Sequence, residues 1–133
     1  MSTATGIVTA RNSRSSTDEI RSWAITAAQA ADDKKAIDVV VLDVSETLTI
    51  TDAFVIASAT NTRLVSTIAE AIEEKVKAIG GPAPLAIEGL SEGSWVLLDF
   101  GGFVVHVFLD ETRRYYDLER LWLDAPRIRW SRS

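Results

Sequence analysis

A chain of 133 residues, 47% of them hydrophobic, has the size of one domain and enough apolar side chains for a core, which excludes general disorder. It has no cysteine, which excludes disulfides and thiolate metal sites, and a single histidine, which leaves carboxylates as the plentiful metal ligands. The net charge of −5 is unevenly spread: residues 36–124 carry six basic and fifteen acidic side chains, whereas residues 125–133 carry three arginines and no acid.

Residues 1–15 are polar and small, with Arg11 and Arg14 but no apolar run behind them. They read as a mobile arm rather than a signal peptide. Ser16-Thr17-Asp18-Glu19 fits a capping box, and Ile20, Trp23, Ala24, Ala27 and Ala31 follow at helical spacing to about Lys34. Asp38–Val44 and Phe54–Ser58 are short β-branched runs, read as strands buried on both faces. Leu48 and Ile50 alternate with polar residues between them, and either extend the first strand or start the second. Thr60 or Asn61 caps a second helix, whose apolar side is Leu64, Val65, Ile68, Ile72, Val76 and Ile79. Gly80-Gly81-Pro82 ends it.

Leu85–Glu88 reads as an edge strand and residues 89–93 as a turn. Trp95–Phe100 and Phe103–Phe108 are two strong strands joined at Gly101-Gly102. Asp110 caps a last helix with Tyr115, Leu118, Leu121 and Trp122 as its apolar stripe, closed by Pro126. The order α-β-β-α-β-β-β-α predicts an α/β (α+β) fold, a mixed sheet of about five strands flanked by helices. One domain is expected over residues 16–125, with a loose basic tail over 126–133 that includes Trp130. Trp23 and Trp122 read as core. Both hairpin strands are apolar on both faces, so either helices cover both sides of the sheet or one side leaves a partner patch exposed.

No run is long and apolar enough to span a membrane, so no membrane association and a cytoplasmic location are expected. An acidic body repels phosphate backbones and attracts basic proteins, so a protein partner is expected, with little or no direct nucleic acid contact. His106 lies mid-strand between valines and reads as packed rather than catalytic. No glycine-flanked serine elbow accompanies it, and no Gly-rich phosphate loop is present. The enzymatic alternative is a magnesium-dependent nucleotidyltransferase, with Asp43, Asp52 or Asp99 supplying carboxylates at strand ends. The competing reading is that each aspartate ends a strand or caps a turn.

Three segments resemble the ribosomal silencing factor (Iojap-related) family. The first is Val39–Ser45 with Leu48–Asp52 and Phe54–Ser58. The second is Trp95–Gly101 with Val104–Phe108. The third is Arg114–Trp122. Leu109, Gly102 and Ala53 differ from residues common in that family at those places. The resemblance implies a nucleotidyltransferase-like fold without transferase activity, and no cofactor or metal. It implies binding to large-subunit ribosomal protein fourteen, a steric block to association of the small and large subunits, and repression of translation under nutrient limitation. It also implies a homodimer when free. On this reading the contact residues are Trp95, Leu97 and Asp99, their neighbours His106 and Phe108, and the signature residues Asp52 and Phe100.

Overall fold

The computed structural model describes residues 16–132; the arm expected over 1–15 lies outside the described residues. Helix α1 spans Thr17–Asp33. Ser16 accepts from the Glu19 amide and the Glu19 carboxylate accepts from the Ser16 amide, so the capping box forms as the sequence predicts. Strand β1 (Ile37–Asp43) and strand β2 (Ala53–Ala59) follow. Leu48 and Ile50 belong to neither strand, and lie in the loop between them.

Helix α2 spans Thr62–Ala78, and Asn61, not Thr60, is its cap: Asn61 Oδ1 accepts from the Leu64 amide at 2.8 Å. Removing that acceptor leaves a first-turn amide to water alone. Asn61→Ala should therefore lower stability by about 1 kcal/mol. Urea unfolding should show an earlier midpoint with an unchanged slope, and an unmoved midpoint would mean that the cap contributes nothing.

Strands β3 (Ala86–Glu88), β4 (Trp95–Asp99) and β5 (Phe103–Leu109) complete one five-stranded sheet in the order β1-β2-β5-β4-β3. Only the central pair, β2 with β5, is parallel. The β4–β5 hairpin turns at Gly101, whose φ of 86° suits glycine, and Asp99 Oδ1 accepts from the Gly101 amide at 2.8 Å. Gly102 serves a different need. A Cβ there would stand 2.7 Å from the Ile20 side chain, so its absence lets α1 approach the hairpin.

Period-two alternation sorts the sheet into two faces. Val41, Val55, Val96, Leu98, Phe103, Val105 and Val107 meet the buried sides of α1 and α2 in the main core. Leu42, Phe54, Ile56 and Phe108 form a smaller cluster on the opposite face. That cluster is covered by a short 3-10 helix over Leu118–Trp122, with Leu118, Trp122 and Ala125 packed on it. Trp23 and Trp122 are each half-buried at a cluster edge, rather than inside it.

Two further expectations need correction. The last helix is not continuous. Helix α3 covers only Asp110–Tyr116, and Asp117 takes a left-handed conformation at φ 48°. The break changes the phase of the segment, so Tyr115 and Leu121 point outward while Leu118 and Trp122 pack inward. An exposed aspartate accepts this conformation more readily than most residues do.

The second correction concerns the tail, where Trp130 is not loose. Its Nε1 donates to the Val39 carbonyl at 3.1 Å, and its ring packs at the edge of the main core. Ile128 is buried, and its amide donates to the Val41 carbonyl at 2.8 Å, which docks the tail beside β1. The alternation Ile128-Arg129-Trp130 puts apolar groups inward, and the arginine charges obscured that pattern.

Candidate functional interface

The face opposite α1 and α2 is covered over β1 and β2 but not over β4. Along β4, Val96 and Leu98 are buried under the helices, whereas Trp95, Leu97 and Asp99 point to the other side and are only half-buried. Register places Trp95 opposite Phe108, Leu97 opposite His106, and Asp99 opposite Val104, so these six share that side. Helices therefore do not cover both faces of the hairpin equally: on this side β4 is half-open, while His106 and Phe108 of β5 are buried.

Aromatic rings surround Trp95. Its centroid lies 4.8 Å from Phe108, 5.0 Å from Tyr116 and 6.0 Å from His106. Its indole Nε1 donates to His106 Nδ1 at 3.1 Å. His106 in turn meets Phe54 edge-on at 5.1 Å, and Phe54 meets Trp122 edge-on at 5.3 Å. Burial pushes the His106 pKa down to about 4, so the ring is neutral at physiological pH. With Nδ1 accepting, the ring proton resides on Nε2. Beside the aromatic group, Tyr115, Tyr116, Leu121 and Leu123 stand exposed at 55–81%. The sequence pattern puts Tyr115 and Leu121 on the apolar stripe of one continuous last helix. The signal that could have found them is Asp117, a residue able to break the helix between Tyr115 and Leu118.

The seven residues expected at the contact do not all meet. Trp95, Leu97 and Asp99 line the open face. His106 and Phe108 lie on the same side but are buried, the latter completely, so they support the face rather than form its surface. Phe100 is buried on the opposite side, stacked on Phe103 at 4.5 Å, and does not belong to the patch. Asp52 sits beyond the hairpin turn, its amide donating to the Gly102 carbonyl at 2.8 Å. It lines a hollow with Trp23, Ile50 and Leu85.

Two of the three candidate aspartates take turn-ending roles. Asp43 accepts from both the Ser45 amide and hydroxyl, and with Arg21 at 3.6 Å these hold its carboxyl below the usual carboxylate range. Asp99 caps the hairpin turn. Among the described residues, no group of three or more His, Cys, Asp or Glu converges in a way that could hold a metal. Asp43, Asp52 and Asp99 therefore do not converge as a group of three; Asp43 and Asp52 line one small hollow together with Arg21 and Ser45. No helix among the described residues is long and apolar enough to cross a membrane.

The family model described as "Ribosomal silencing factor during starvation" matches residues 17–133. The Bacillus subtilis ribosomal silencing factor RsfS is 41% identical over 100 residues, covering 75% of this chain and 84% of that relative. The mouse protein named mitochondrial assembly of ribosomal large subunit protein 1 is 35% identical over 91 residues, covering 67% of this chain and 40% of that relative. A crystal structure of a Chromobacterium violaceum protein superposes with a TM-score of 0.74 at 35% identity, covering 77% of this chain and 85% of the other. Because the match runs from the first turn of α1 through the docked tail, the chain belongs to the ribosomal silencing factor family.

Proposed function

We propose that this protein binds the large ribosomal subunit through large-subunit ribosomal protein fourteen and sterically blocks association of the small subunit. Translation is thereby repressed when nutrients are limiting. The observation that carries the reading is the half-open face of β4, which bears Trp95, Leu97 and Asp99 and whose Trp95 packs against exposed Tyr116, in a chain of this family. An apolar patch with a tryptophan at its centre is what a protein interface requires. The acidic body of the chain suits a basic ribosomal partner. The name of the mouse relative points to the large subunit. A steric blocker needs no catalytic constellation, so the protein acts without chemistry, in the cytoplasm. When free it pairs with a second copy, which shields the exposed apolar residues.

Sucrose-gradient sedimentation tests this directly. Added protein should co-migrate with purified large subunits and reduce the joined-ribosome peak. Unchanged joining without co-migration would overturn the reading. Trp95→Ala should weaken binding to large subunits by about 2 kcal/mol, roughly thirtyfold in Kd. A folded variant that binds normally would remove Trp95 from the contact.

A further inference from the structure

His106 is the chain's one histidine, and it is too buried to reach a partner with its own ring. Its neighbours are apolar: Phe54 meets it edge-on and Phe108 lies nearly parallel to it at 6.2 Å. Its Nε2 is buried without a protein partner. For stability alone, a phenylalanine would fill this space and bring no unpaired N–H into it. What the imidazole adds is a single acceptor, Nδ1, and that acceptor takes the indole N–H of Trp95. Trp95 has a face open to solvent and would otherwise satisfy its N–H with water in more than one side-chain orientation.

We propose that His106 is a positioning residue, whose neutral Nδ1 fixes the half-exposed Trp95 indole in one orientation before the partner arrives. The inference rests on the reading of this face as the ribosome-docking surface. An anchor already ordered in the free protein loses less rotamer freedom on binding. The acceptor is also selective for protonation state. Only the tautomer with the proton on Nε2 leaves Nδ1 free, and burial keeps the ring in its neutral form.

The test uses the full chain with ¹⁵N labelling. In the unaltered protein, the imidazole nitrogens should report the Nε2–H tautomer. The Trp95 indole N–H, assigned by its loss in Trp95→Phe, should give one resonance with slowed solvent exchange. His106→Phe keeps the ring volume and removes the acceptor. Its indole resonance should broaden or split, exchange faster, and accompany a roughly five- to tenfold weaker affinity for large subunits. His106→Asn places a carbonyl oxygen near the Nδ1 position and should restore both.

The Nδ1–H tautomer in the unaltered protein would overturn the proposal. So would an unchanged indole resonance in His106→Phe, or no recovery in His106→Asn. Should His106→Phe fail to fold, the tautomer and the indole exchange rate of the unaltered protein still decide. If the unaltered protein does not bind large subunits, the docking reading fails, while the two resonance measurements continue to judge the positioning role.

Discussion

Replacing Arg113 with alanine should destabilise the protein by about 3–5 kcal/mol, a large share of what holds a domain of this size together. Arg113 is only 7% exposed. Its Nε and Nη2 donate to the two carboxylate oxygens of Glu119 at 3.1 and 2.9 Å, a bidentate pair. Its Nη1 donates to Ser58 Oγ at 3.0 Å and to the Ile37 carbonyl at 3.3 Å. One side chain thus ties α3, the 3-10 helix, β1 and β2 together. The guanidinium in turn holds the Glu119 carboxyl below its usual range, chiefly by hydrogen bonding. Alanine would leave Glu119 without its cation and Ser58 without its donor. Lysine would keep the charge but lose the fork that reaches carboxylate and hydroxyl together. Urea unfolding of both variants should show a large midpoint shift for alanine and an intermediate one for lysine. A loss under 1 kcal/mol for alanine would mean that the pair contributes little beyond its own desolvation.

Mild acid should weaken the fold well above the pH at which carboxylates protonate. Burial holds His106 at a pKa of about 4, whereas an unfolded histidine titrates near 6.5. The unfolded chain therefore binds more protons than the folded one between these values, and stability falls as pH falls through that window. The full contribution is present above 6.5, about 2 kcal/mol is gone by pH 5, and about 3 kcal/mol near pH 4. Asp43 and Glu119, whose pKa values are also lowered, add their losses from about pH 4.5 downward, as the carboxyl groups of the unfolded chain begin to take up protons. Urea midpoints from pH 7.5 to 5 should drop for the unaltered protein and stay flat for His106→Phe. Equal drops in both would assign the effect to other groups.

Much of the architecture was legible because local signals and burial agree. The Ser16–Glu19 box, the Gly101-Gly102 turn and the β-branched runs each name one local structure, and tertiary packing reinforces it. Legibility failed where a single backbone angle decided the outcome. The helical spacing of Tyr115, Leu118, Leu121 and Trp122 is real, but Asp117 turns left-handed between the first and second of them. The tail failed for another reason. Its three arginines dominate composition, whereas Ile128 and Trp130 decide its position through contacts with β1, far away in sequence.

The site was legible as a segment, not as a surface. Alternation alone could not separate the open side of β4 from the covered side, because both are apolar. That asymmetry comes from where the 3-10 helix ends, which rests on long-range packing. Phe100 was added only as a signature residue, and the sheet puts it on the side opposite Trp95, as strand parity requires. Arg113 stood within a charged run and carried no mark of its burial.

The parallel pair at the middle of the sheet also sets when the open face can exist. Residue 54 meets residue 104 across this pair, so the ladder closes only over a long stretch of intervening chain. Such closure loses entropy before any pairing is gained, which makes it a late and slow event in folding. During synthesis, α1, β1 and β2 emerge first, and the inner edge of β2 stays unpaired until Phe103–Leu109 has left the exit tunnel. Because β5 lies between β2 and β4, the strand bearing Trp95 joins the sheet only with that insertion. The open side of β4 is thus completed only once β5, which follows it in the chain, has been made.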